Sequence, residues 1–158
     1  MRIEYFHHSV YGNGAAVAAE FRRLMATRGV TVNVHHLRDV KPDEVPPADL
    51  YLFSSPGRLG KPIKDVRRFL KRLELAPGAK YALLTTEMAP QPDRKTGRVP
   101  SEEELSRYQR VRPILNELLE GKGLVKVAEG KVQVLDVKGP LEDGWQAKVE
   151  DFASRIPL

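Results

Sequence analysis

The chain has 158 residues, of which 41% are hydrophobic and 30% charged, a composition typical of a globular domain with one substantial core. It contains no cysteine, which excludes disulfides, iron–sulfur clusters, zinc–thiolate sites and thiol nucleophiles. The net charge of +5 bears on association and not on fold. No apolar run approaches about 20 residues and no signal-peptide core precedes the first strand, so we expect a cytoplasmic protein without a transmembrane segment.

The first half of the chain alternates between strand and helix patterns. Three short runs of β-favouring or apolar residues predict strands: 2–7, 31–36 and 49–53. Apolar residues at three- and four-residue spacing predict a helix from Gly14, which Gly29 ends, and a second helix over 63–73. The polar, proline-rich residues 39–48 predict a connector containing at most a short helical turn.

The second half continues the alternation. A buried strand is predicted at 80–85, followed by a long surface loop over 87–100. Ser101 and Glu104 have capping-box spacing and open a helix to Gly121, which Pro113 should kink or interrupt. The last predicted elements are a strand over 124–127 and 132–137, either bulged or a hairpin around Glu129–Gly130, and a helix over 144–155.

This order of elements predicts a mostly parallel sheet with helices on both faces, in one domain over residues 1–158. In such sheets, ligands bind beyond the carboxyl ends of the strands. The loop that leaves the first strand consists of small and polar residues suited to a phosphate: Ser9, Val10, Tyr11, Gly12, Asn13 and Gly14. A helix amino terminus offers unpaired N–H donors, and the glycines let the backbone approach an anion. The same residues could instead form an ordinary capped turn.

The first loop resembles the flavodoxin phosphate loop, Thr/Ser-x-Thr-Gly-x-Thr, in the variant with tyrosine before the first glycine. Ser9, Tyr11, Gly12 and Asn13 stand on that pattern, whereas Gly14 replaces its last threonine. The resemblance implies a flavodoxin-like three-layer αβα sandwich with a five-stranded parallel sheet in the order 2-1-3-4-5. It also implies bound FMN.

The resemblance continues after the third and fourth strands and in the tail at 138–145. The residues that resemble the second flavin loop are Ser55, Pro56, Gly57, Arg58, Leu59 and Gly60. Those in the place of the third flavin loop are Thr86, Glu87 and Met88. The family implies that backbone amides of these two loops contact the flavin ring. Neither loop contains the aromatic residue that flavodoxins usually stack on the ring, and the chain is basic where electron-carrier flavodoxins are acidic.

The resemblance implies electron transfer by one- or two-electron cycling of FMN, with a redox partner protein. Two alternatives stay open. The absence of a stacking aromatic also suits an FMN-dependent reductase acting on a small quinone or nicotinamide substrate, with a homodimer completing the site. The same absence and the replacement at Gly14 suit a flavodoxin-fold interaction domain that binds no flavin.

Two other features have plain interpretations. His7–His8 and His35–His36 are adjacent pairs on strands, where neighbouring side chains point to opposite faces, so we expect no metal site; His8 is kept as a flavin-edge contact. The basic residues of 61–72 predict a solvated helical face or a docking surface for an acidic partner, and no nucleic acid is expected. No catalytic set of side chains can be assigned.

Overall fold

The computed structural model describes residues 1–158. Seven strands are present: β1 (Arg2–His7), β2 (Thr31–His36), β3 (Leu50–Phe53), β4 (Gly57–Arg58), β5 (Lys61–Pro62), β6 (Lys80–Met88) and β7 (Val125–Val134). Five α-helices accompany them: α1 (Asn13–Ala26), α2 (Lys64–Arg72), α3 (Glu102–Ser106), α4 (Val111–Glu120) and α5 (Trp145–Ser154). A 3-10 turn at Leu37–Asp39 precedes the polar connector.

The main sheet has the order β2-β1-β3-β6-β7, and every neighbouring pair is parallel. The short strands β4 and β5 form a separate antiparallel hairpin. When that hairpin is set aside, the sheet has the predicted five strands in the predicted order 2-1-3-4-5.

Two hydrophobic clusters lie on opposite faces of the sheet. One joins α1 and α5 to the sheet, with Phe21 and Phe152 among its buried residues. The other joins α2 and α4 to the opposite face, with Phe69 and Leu115 among its members. Successive residues of β3 and of 81–84 in β6 alternate between these clusters, which is why these two stretches are apolar throughout. The three-layer αβα architecture is therefore confirmed.

The last strand is continuous and bulged. Tyr81 pairs with Lys126 but Ala82 pairs with Ala128, so Val127 is the extra residue on β7. The bulged alternative is correct and the hairpin alternative is wrong. The bulge lies earlier than predicted, because the parallel ladder with β6 continues through Gly130 without a break.

The region around Pro113 is divided into two helices. Ser101 accepts a hydrogen bond from the Glu104 amide at 3.2 Å, as the capping box predicts. The chain then leaves α3 after Ser106 and begins α4 at Val111. Pro113 lies in the first turn of α4, where its missing N–H would have no intrahelical acceptor. The predicted helix is therefore interrupted, which is one of the two expected outcomes, and Pro113 lies at the beginning of the second helix without kinking it.

Strand β6 is longer than predicted. It runs to Met88, since β7 pairs with it as far as Val134, and the surface loop begins only after that point.

No helix combines the length and the apolar character needed to cross a bilayer.

Candidate functional site

The first loop leaves β1 at its carboxyl end and enters α1 through a left-handed residue, Gly12, with a φ of 89°. No side chain caps this helix, and its first backbone bond is from the Ala16 amide to the Gly12 carbonyl at 3.0 Å. The preceding amides of the first turn therefore have no intrahelical acceptor. The hydroxyl of Ser9 is enclosed and has no hydrogen-bond partner. These donors match what a phosphate requires.

The segment before α5, which is distant in sequence, contacts the first loop. Asn13 Nδ2 donates to the Lys138 carbonyl at 3.3 Å. Lys138 Nζ lies 5.9 Å from the centre of the exposed Tyr11 ring. The loop itself has no cationic residue, so the sequence does not single out Lys138, although the tail at 138–145 resembles flavodoxin-family closing segments. The fold places one lysine beside the predicted phosphate site.

The second loop forms the β4–β5 hairpin. Its turn residues, Leu59 and Gly60, both have positive φ, at 51° and 74°. This combination is typical of a tight hairpin turn, which glycine accepts readily and leucine does not. At the base of the hairpin, Ser55 Oγ accepts a hydrogen bond from the Ile63 amide at 3.3 Å. The loop is thus folded internally and presents Leu59, 94% exposed, at its tip.

The hairpin packs against the connection between α3 and α4. The Gly60 carbonyl accepts a hydrogen bond from the Arg110 amide at 2.6 Å. A Cβ on Gly60 would lie 1.9 Å from the Tyr108 carbonyl oxygen, so only glycine fits at this contact. The Tyr108 side chain is 54% exposed. An aromatic residue therefore contacts the second loop through its backbone, although neither predicted flavin loop contains an aromatic residue.

The predicted third loop is the end of strand β6. Thr86 and Glu87 are buried, and the Thr86 amide donates to the Ser55 carbonyl at 3.2 Å, which joins the second loop to this strand. The placement of Thr86, Glu87 and Met88 in a loop is therefore wrong. Pairing with the long strand β7 extends β6 over all three residues. The Glu87 carboxylate bonds to Arg112 of α4 at 2.8 Å.

The histidines gather at the carboxyl ends of β1 and β2. The His36 ring lies 5.3 Å from the ring of His7 and 4.7 Å from that of His8. Burial, reinforced by the neighbouring His36, His8 and Arg38, lowers the pKa of His7 to about 4. His8 Nε2 lies 3.3 Å from Asp65 Oδ2 at the start of α2. No group of three or more potential ligands could hold a metal ion.

Comparison with known proteins places this geometry in a structural class. No protein-family model and no curated protein matches the sequence. Flavodoxin 2 from Bacillus cereus superposes with a TM-score of 0.73 at 19% identity, covering 98% of this chain and 97% of that one. The chain has the flavodoxin fold. The two-electron reduced flavodoxin of Megasphaera elsdenii superposes with a TM-score of 0.65 at 20% identity, covering 96% of this chain and 98% of that one.

The same fold occurs inside a larger protein. Rubredoxin oxygen:oxidoreductase from Desulfovibrio gigas superposes with a TM-score of 0.67 at 15% identity. The match covers 98% of this chain but only 35% of that one, so this chain spans about a third of the larger protein. At these identities the comparisons establish the fold, and the flavin site must be argued from this chain's own residues.

Proposed function

We propose that this chain binds FMN non-covalently and takes part in electron transfer, with residues 1–158 acting as one domain. One observation carries the proposal. At the carboxyl end of β1, in a fold shared with flavodoxins, α1 begins without a side-chain cap and beside the unpaired Ser9 hydroxyl. Unpaired donors at a helix amino terminus are suited to a phosphate monoester.

The residues divide into those that would hold the phosphate and those that would contact the ring. The amides of Gly12, Asn13 and Gly14 and the Ser9 hydroxyl would donate to the phosphate, and Lys138 would add positive charge beside Tyr11. The β4–β5 hairpin, with Tyr108 beside it, would contact the ring. Bound FMN supplies one- and two-electron transfer, and the protein positions it and tunes its potential.

A second candidate is a flavodoxin-fold interaction domain without flavin. The observation that favours it is the pairing of the ring-side segments with each other. The Thr86 amide donates to the Ser55 carbonyl, and the Gly60 carbonyl of the hairpin accepts from the Arg110 amide, so this amide and this carbonyl are already satisfied within the protein. Flavin binding must therefore use the remaining amides of the hairpin or rearrange it.

The first test is the visible absorption spectrum of the purified protein after incubation with FMN and desalting. We expect flavin bands that survive desalting. Ser9→Ala should weaken binding about 10- to 100-fold, since a hydrogen bond to a charged group contributes about 1.5–3 kcal/mol. A colourless protein with wild-type folding would contradict the FMN proposal and favour the interaction domain.

Two glycines provide a matched pair for the same test. Gly12 and Gly78 have φ values of 89° and 86°, and a Cβ on either would meet no atom within 4 Å. Alanine at either position carries a similar backbone strain of about 1–2 kcal/mol. Only Gly12→Ala should also weaken FMN binding, because only Gly12 shapes the first loop. Equal FMN affinity in the two variants would place the phosphate elsewhere.

Turnover of the FMN-loaded protein with a nicotinamide donor would identify a reductase and not a carrier.

A further inference from the structure

Positive charge is concentrated in one short part of the chain. Residues 58–72, here called the basic segment, contain seven of the 26 basic residues and one of the 21 acidic residues. The basic segment therefore carries a charge of +6, and the rest of the chain carries −1. The basic character of the protein belongs to the β4–β5 hairpin and α2 and is not spread over its surface.

The cations of the basic segment, with one exception, lack carboxylate partners. Helix α2 buries Val66, Phe69 and Leu70, and its charged side chains are exposed except that of Arg67, which is half-buried. Among its cations only Arg68 has a carboxylate within 4 Å, namely Asp65 at 3.8 Å. Cations elsewhere are commonly paired; examples are Arg98 with Glu104 at 2.7 Å and Lys131 with Glu102 at 3.0 Å. The net positive charge of the protein, and the electrostatic potential that it produces, are therefore concentrated over α2 and the β4–β5 hairpin that precedes it.

The basic segment adjoins the candidate flavin site. It begins with Arg58 in the predicted second flavin loop, and the contact between Asp65 and His8 joins the start of α2 to the first loop. Leu59, at the tip of the hairpin, adds a fully exposed apolar side chain in a left-handed conformation. An apolar tip with a charged surround resembles the centre and rim of a protein–protein interface.

We propose that the basic segment is a docking surface for an acidic protein, namely the electron donor or acceptor; this rests on the proposed function. Charge complementarity brings that protein to the edge of the flavin site and accelerates its association. A membrane fits less well, because the apolar face of α2 is buried in the core. A nucleic acid fits less well, because α2 spans only about 13 Å and its exposed face has no aromatic residue.

The test measures binding of fluorescently labelled poly-L-glutamate at low and high salt, with an oligodeoxythymidine and phosphatidylglycerol vesicles as competitors. The variant Lys61→Glu/Lys64→Glu reverses two exposed, unpaired charges of the basic segment. Arg94→Glu/Lys95→Glu is its matched control, since these two cations are exposed, without carboxylate partners and outside the segment. We expect the first variant to weaken binding about tenfold and the control to change it less than about twofold. When poly-L-glutamate is added, the changes in amide chemical shift measured by NMR should be concentrated in residues 58–72.

Equal losses in the two variants would show that only net charge matters and would overturn the proposal. Preferential binding of the oligonucleotide or the vesicles, dependent on Lys61 and Lys64, would overturn it in favour of that partner class. The titration is run with and without FMN. Segment-specific binding in a protein that takes up no FMN would refute the proposed electron transfer but retain the acidic partner. FMN uptake without segment-specific binding would refute the docking surface alone.

Discussion

Arg112 on α4 donates a hydrogen bond to the Glu87 carboxylate on β6 across 2.8 Å, and Glu87 is only 1% exposed. Thr85 donates to the same carboxylate oxygen, and Arg112 also reaches Glu129 on β7 at 3.2 Å. The carboxylate that the flavodoxin resemblance places near the flavin thus joins a helix to the end of two strands. Its role in this structure is to hold α4 against the sheet.

Removal of the guanidinium should destabilise the protein more than removal of both partners. Arg112→Met leaves a buried, uncompensated carboxylate at Glu87, and we expect a loss of about 3 kcal/mol in the free energy of unfolding. The double variant Glu87→Gln/Arg112→Met should recover part of that loss, because the neutral amide is cheaper to bury. Urea denaturation measures the free energy of unfolding of the wild type, Arg112→Met and the double variant.

An exposed ion pair provides the control for that series. Arg107 and Glu103 lie 3.6 Å apart on the surface. Arg107→Met should therefore cost less than about 1 kcal/mol. Similar losses from Arg107→Met and Arg112→Met would contradict a special contribution of the buried pair.

His7 should make the protein less stable in mild acid. Its pKa is about 4 in the folded state, against 6.5 for an ordinary histidine, because burial and nearby positive groups disfavour the imidazolium. The unfolded chain therefore takes up this proton first. The contribution of His7 to the free energy of unfolding is fully present above pH 6.5 and is lost as the pH drops towards 4. The loss is about 1.4 kcal/mol between pH 7.5 and 5.5.

The His7→Gln variant isolates this contribution. Its free energy of unfolding should change by about 1.4 kcal/mol less than that of the wild type over the same interval, whatever its stability at pH 7.5. Glutamine carries no titrating group, so the comparison does not require the variant to be as stable as the wild type. Identical pH dependence in the two proteins would show that His7 is not the source of the acid sensitivity.

Gly60 should tolerate no side chain. Alanine there combines a positive φ with a Cβ 1.9 Å from the Tyr108 carbonyl, so the hairpin must leave the α3–α4 connection. Gly78→Ala carries the same kind of strain with no contact within 4 Å. We expect Gly78→Ala to cost about 1–2 kcal/mol and Gly60→Ala clearly more. Equal losses by thermal or urea unfolding would mean that the hairpin is not fixed by this contact.

Tyr108 should contribute to flavin affinity if the hairpin borders the ring. Aromatic stacking adds about 0.5–1.5 kcal/mol, so Tyr108→Ala should weaken FMN binding about 2- to 10-fold. Tyr108→Phe retains the ring and should bind nearly as tightly as the wild type. Fluorescence titration of FMN measures both variants. An unchanged affinity in the alanine variant would leave the flavin ring without an aromatic neighbour from this segment.

The sequence predicts the sheet well because its strands and helices have distinct periods. Phe21 and Met25 follow helical spacing, and the apolar residues of 50–53 form a strand buried on both faces. It predicts the third loop poorly, because the length of β6 depends on its pairing with β7, a contact between distant segments. A polar Thr-Thr-Glu run looks like a loop until a neighbouring strand supplies its hydrogen bonds.

The candidate site is predicted only in part, because some of its residues form a local pattern and others come from distant segments of the chain. The first loop is local, and glycines beside a helix start are visible in the sequence. Tyr108 and Lys138 come to the site from other parts of the chain, through the break between α3 and α4 and through the crossing of residues 135–144 towards α1. No local pattern reveals such approaches.

The bond between Asn13 and the Lys138 carbonyl spans 125 positions of the chain. During synthesis, the first loop is made well before the segment that fixes its asparagine. Contacts of such high sequence separation form late in folding. The residues proposed to bind the phosphate are therefore made long before the segment that fixes them, so we expect the nascent chain to take up FMN only after the sheet has closed through β7.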